Sequence, residues 1–257
     1  MEATLRKVRV LMGKDLADLV KNPSMLISLA LPVGFSLVTR FALANASDQV
    51  AAAATSAAAL SRADQVLRTF TLTSALAMAI GMVVGMTVVY GIAEEKEKHT
   101  LRTLMLANVS AGEIVASRAL VALGATLAVA TASFFVVGTA GIELLPAYLA
   151  VGALGALPII LISLVFGLAS RDQMTAGFYS VPVVLISLAP IFGMYNEGAS
   201  SVVRWLPTGG MNELMGLLVE GRLMSVDALL PLGVTLAWTV AGGAVFAALF
   251  RRLIRDN

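Results

Sequence analysis

Apolar residues run nearly unbroken through six stretches of the chain, at about 24–44, 70–93, 114–139, 148–170, 176–195 and 230–250. A helix needs roughly 20 such residues to cross a hydrocarbon core of about 30 Å. The pattern therefore predicts an all-α membrane protein with six transmembrane helices. Pro158, Pro182 and Pro190 fall inside the fourth and fifth stretches, where membrane helices accept proline better than soluble ones do. Small residues recur at Ala77, Gly81 and Gly85 in the second stretch, a spacing that lets a neighbouring helix approach closely.

The first 22 residues follow a different rhythm. Leu5, Val8, Met12, Leu16 and Leu19 recur every three or four positions and share one helical face. Arg6, Lys7, Lys14, Asp18 and Lys21 point largely the other way, while Arg9 and Val10 break the pattern. A helix of this kind can lie in the membrane interface with its basic face on lipid headgroups; an ordinary juxtamembrane basic tail is the alternative. Asn22-Pro23 then supplies a cap and a first helical position for the opening span. Ala51 to Ala59 lies between the first two spans and is rich in alanine, so a helix there is expected to extend the second span outward.

Composition agrees with the pattern. Of the 257 residues 58% are hydrophobic and 13% charged, against about 25% charged in soluble domains. There is no cysteine and one histidine, His99, which removes disulfides, a thiolate nucleophile and paired-histidine zinc sites. No GxxxxGK[ST] loop occurs, so nucleotide binding of the P-loop kind is absent from this chain. With the N-terminus inside, 13 of the 18 Lys and Arg fall on the inner side. That bias places both termini and the 94–118 segment in the cytoplasm, and it accounts for the net charge of +2 without nucleic-acid binding. Cleavage after Ala42-Leu43-Ala44 as a signal peptide is disfavoured by the long basic region and by Arg40 beside the site. No Asp, Glu, Lys or His chain crosses the middle of a span, which argues against a proton relay.

Two polar segments carry the candidate chemistry. From Glu94 to Lys98 charges alternate where the second span ends. Leu101, Leu104 and Met105 then share a face with Arg102 turned away. Asn108 and Val109 break the helix, and Ser110 with Glu113 forms a capping box that starts the third span. The apolar face of this short helix fits either lipid or a groove on a partner protein. Residues 196–221 hold Pro207, the Gly209-Gly210 pair and a helix-length run from Met211 to Val219. Backbone of that sort at membrane depth must be buried in protein or line a cavity; an external surface loop fits the composition as well.

The run from Glu95 to Leu104, with Val109-Ser110 and Glu113-Ile114 after it, resembles the signature of ATP-binding-cassette (ABC) type-2 exporter permeases. That signature is a Glu-x-Glu-x-Gly-Thr-Leu-x-x-Leu run followed by a Pro-Val-Ser-type turn. His99 stands where the family usually has Gly, and Asn108 where it often has Pro; both fit the same turn-and-helix geometry. Lys14-Asp15-Leu16 through Asn22-Pro23, Ser170 to Gln173, and Trp205-Leu206-Pro207 with Asn212-Glu213-Leu214 are similar to other parts of the family.

The resemblance implies an interfacial helix over 1–22 and a six-span permease domain over 23–257, with a coupling segment at 94–113 and an external re-entrant segment at 196–221. It implies a cytoplasmic coupling helix that docks on a separate ABC ATPase, which holds the ATP and Mg; this chain would carry no cofactor, metal or catalytic residue. Glu95, Glu97, Thr100, Leu101 and Leu104 would lie in the docking region, and Ser110 would start the third helix. Trp205 and Pro207 are the external gate candidates. A second permease chain, identical or related, would complete the pathway across the inner membrane, and outward export would be the activity. Periodicity alone also accommodates a non-transporting membrane scaffold or immunity-type protein.

Overall fold

The computed structural model describes residues 2–53, 56–106, 108–194 and 197–255, and every regular element among them is helical. Ten helices are labelled here: α1 Glu2–Lys21, α2 Pro23–Ala53, α3 Ala57–Glu97, α4 Thr100–Leu106, α5 Ala111–Val137, α6 Leu145–Ala169, α7 Gln173–Gly193, α8 Glu197–Val203, α9 Gly209–Val219 and α10 Leu229–Arg255. Six of them, α2, α3, α5, α6, α7 and α10, are long and apolar enough to cross a membrane. The expected count of six holds.

The helix starts follow local chemistry. Asn22 accepts from the backbone N–H of Ser24 at 3.0 Å, just ahead of Pro23 at the head of α2. Ser56 accepts from the N–H of Ala59 at 3.2 Å and starts α3. The alanine-rich stretch is therefore shared: α2 runs up to Ala53 and α3 begins at Ala57. At 41 residues α3 is about 60 Å long at helical rise, twice the hydrocarbon thickness. Its N-terminal third carries Arg62, Asp64 and Arg68, the last two paired at 2.8 Å.

The rest of α3 is the hub of the bundle. Its most apolar window is 78% buried, against 17% for α2 and 6% for α10, which therefore form the rim. Leu72, Leu76, Ile80, Val83, Val88 and Ile92 are all buried along it. Between Ile80 and Tyr90 α3 is π-helical, and this section packs against α6 and α7. A Cβ on Gly81 would stand 3.0 Å from Ser187 Cβ and 3.5 Å from Val184 Cα. The small-residue stripe thus admits α7 of the same chain.

The face of α1 differs from the expected one. Leu11, Asp15 and Leu19 are buried against α5, whereas Leu5 and Leu16 are 65% and 49% exposed. The seam turns toward Asp15 because a buried carboxylate needs partners, and Ser117 and Arg118 on α5 provide them. Leu19, Met25 and Val121 close a small apolar cluster beside it.

Candidate functional site

At one end of the bundle α1, α4 and the turn between α6 and α7 gather around the last turn of α3. Three successive residues there reach three different neighbours. Glu95 is 5% exposed; its Oε1 lies 2.8 Å from Arg118 Nη2 and also accepts from Lys14 Nζ. Arg118, 3% exposed, has the same Nη2 3.4 Å from Asp15 Oδ1, and Ser117 Oγ donates to Asp15 Oδ2 at 2.8 Å. Gly91 makes room for the guanidinium, since a Cβ there would stand 2.9 Å from Arg118 Nη1. One buried guanidinium is thus shared by two buried carboxylates from α1 and α3. Burial holds the Asp15 carboxyl above its ordinary range, although Arg118 and Ser117 pull it down.

Lys96 turns to another side. Its Nζ donates to the carbonyls of Leu168 at 2.6 Å and Ser170 at 2.7 Å, at the C-terminus of α6. Glu97 Oε2 accepts from the backbone N–H of Gln173 at 2.9 Å, at the N-terminus of α7. Asp172 caps the same terminus from within the turn, accepting from Thr175 N and Oγ1 at 2.8 Å each; these bonds hold its carboxyl below the ordinary range.

The chain then leaves the bundle. His99 adopts φ 56°, the left-handed conformation that glycine takes most easily. Thr100 Oγ1 donates back to the Glu95 carbonyl at 3.1 Å. In α4 Thr103 and Leu106 are exposed, Leu106 at 81%, and Leu104 is half-buried. The backbone of Leu101 lies in α4, but its side chain and those of Arg102 and Met105 fall outside the described residues. Asn108 closes the segment at φ 62°, and its carbonyl accepts from Lys7 Nζ. Proline cannot adopt that φ, so the turn at 108 is one that a proline could not make, contrary to the expected equivalence. Ser110 accepts from Glu113 N at 3.2 Å while Glu113 accepts from Ser110 N at 2.8 Å, and this capping box starts α5. An open cleft of about 530 Å³ beside α4 is lined by Lys14, Lys21, Asn22, Glu94, Lys98 and Thr100, among others.

Among the expected residues, Glu95, Glu97 and Thr100 come together at the root of α4, Leu104 lies on it, and Ser110 starts α5 beyond it. Sequence reasoning missed Asp15, Lys96 and Arg118. One signal was available: Asp15 sits four residues from both Leu11 and Leu19, an acid on an apolar seam. Among the described residues no three His, Asp or Glu side chains form a metal-ligand cluster.

At the other end, α8 and α9 form a helix–turn–helix through 204–208. Trp205 is 55% exposed, its carbonyl accepts from Trp238 Nε1 at 2.7 Å, and the Arg204 guanidinium lies 5.6 Å from its ring centroid. Pro207 is buried, and Thr208 Oγ1 donates to Ile186 O at 2.8 Å. The turn is thereby pinned to both α7 and α10.

The class these features define is an all-helical, multi-pass membrane protein with a braced helical excursion between its second and third spans. Residues 15–240 match the family described as "Fluoroquinolones export permease protein Rv2686c-like", and the chain belongs to that family of ABC-type permeases. No curated protein and no solved structure matches it.

Proposed function

We propose that this chain is the membrane-spanning permease subunit of an ABC exporter, driven by a separate ATPase subunit that binds at α4. The observation that carries the reading is the mounting of α4. It is a short helix held off the bundle by two left-handed residues, His99 and Asn108, with its root fixed by Glu95. A helix placed in this way transmits a push instead of absorbing it. Its place after the second span is also where the family resemblance puts the coupling helix.

In this reading Glu97, Thr100, Leu101, Leu104 and Ser110 belong to the docking region. Glu95 acts from behind it, because it is buried and paired inside the chain. Two permease chains form the pathway, both termini face the cytoplasm, and ATP with Mg stays on the partner. Residues 196–221 cap the exit side, with Trp205 and Pro207 at the gate. The family description names fluoroquinolones. For this chain an apolar cleft of about 320 Å³, lined by residues that include Ala42, Leu43, Leu67, Phe70 and Met194, favours a lipophilic organic cargo.

Co-purification from native membranes tests the proposal. A P-loop ATPase should come down with the tagged chain and be lost with Leu104→Asp while the variant still inserts. A chain that purifies without any ATPase, under conditions that keep other ABC complexes whole, would overturn the proposal in favour of a non-transporting role.

A further inference from the structure

Lys96 donates to backbone carbonyls at the end of another helix. Its two acceptors, Leu168 O and Ser170 O, are among the carbonyls that the end of α6 leaves without partners in its own helix. The next residue, Glu97, accepts from Gln173 N at the start of α7, where helical N–H groups are likewise left over. The signs match the helix ends: a cation sits on the negative C-terminus and an anion on the positive N-terminus. Both side chains spring from one turn of α3, directly before α4. Behind them the backbones are in close contact, since a Cβ on Gly167 would stand 3.0 Å from Val88 O.

We propose that Lys96 and Glu97 are positioning residues that lock the 170–173 turn to α4, so that a displacement of α4 moves the ends of α6 and α7 with it. Glu95 makes the corresponding connection to α1 and α5. Three successive residues would then distribute one stroke to four helices. The inference relies on the exporter reading only for the origin of the stroke; the lock itself is a property of the isolated chain.

The chain has no cysteine, so in a nanodisc holding one labelled chain, alone or diluted with unlabelled chains, spin labels placed at Thr103→Cys and Arg171→Cys, both exposed, report a single distance. In nanodiscs the otherwise unchanged chain should give one narrow distribution. Lys96→Met should widen it roughly twofold as the two ends open locally, and Glu97→Leu, which removes the acceptor for Gln173 N, should widen it too. Lys96→Arg, which retains a cation for the carbonyls, should stay narrow. Glu95→Gln should leave this pair narrow while amide exchange rises across residues 11–19. If Lys96→Met folds and its distribution remains as narrow as that of the parent, the lock is refuted. If Lys96→Met does not fold, Glu97→Leu decides in its place, and an unchanged width there refutes the proposal equally. A chain that binds no ATPase but shows these distances would sink the exporter reading and leave the lock standing.

Discussion

Replacing Arg118 by Met removes the one guanidinium shared by Asp15 and Glu95 while keeping most of the side-chain volume. Both carboxylates are buried, at 3% and 5% exposure. Glu95 keeps Lys14 as a cation, whereas Asp15 keeps only the hydroxyl of Ser117 and a more distant Lys14. Breaking a buried pair by deleting one partner costs about 3–5 kcal/mol, because the other charge is stranded. The surviving Lys14 contact places the expected loss near the lower end, about 3 kcal/mol. For a chain of this size each kcal/mol moves the melting temperature by roughly 2–4 °C, so the shift should be about 6–12 °C. Thermal denaturation of purified protein in one detergent measures it. The double variant Glu95→Gln with Arg118→Met should lose less than the sum of the single losses, by about 1 kcal/mol or more. A loss within about 1 kcal/mol for Arg118→Met, or strict additivity in the double variant, would refute the claim that this cluster braces the root of α4.

Three further outcomes follow from the same geometry. Burial raises the Asp15 carboxyl above its ordinary 3.8, so the folded state holds this proton more tightly than the unfolded one. Its contribution is full below the unfolded value and is lost as pH rises through the folded value. Wild type should therefore lose stability relative to Asp15→Asn as pH climbs from about 4, and melting curves for the pair should diverge across that window. Ser110→Ala removes one half of the capping box and should cost about 1 kcal/mol, read as a lower melting temperature and faster amide exchange over 111–114. Asn108→Pro cannot keep φ 62° and should destabilise, whereas Asn108→Gly should be neutral or stabilising; the two melting temperatures check it.

Much of the architecture was legible because it is local. Six apolar runs gave six spanning helices, Asn22-Pro23 gave the start of α2, and Ser110 with Glu113 gave the start of α5. The apolar run of the second span begins near 70 because Arg62, Asp64 and Arg68 lower the hydropathy before it, although the alanine-rich stretch predicts the helical extension that α3 shows. The helix continues through them on good helix formers and an i,i+4 ion pair, and starts at Ala57. The register of α1 was less accessible, since Asp15 turns inward for a hydroxyl 102 positions away. The roles of Lys96 and Glu97 were hidden for the same reason: their partners are backbone groups near 170, and no periodicity points to those. His99 shows a departure from a motif that keeps its geometry, because histidine there adopts the conformation that glycine would adopt.

The most direct test of the central claim is site-specific cross-linking from α4 in native membranes. A photoactivatable maleimide on Thr103→Cys should capture a protein carrying a P-loop, and the same probe on Val226→Cys, exposed at the opposite end of the bundle, should not. Capture from both positions, or from neither while the chain remains folded and membrane-inserted, would contradict the assignment of α4 as the ATPase-binding helix.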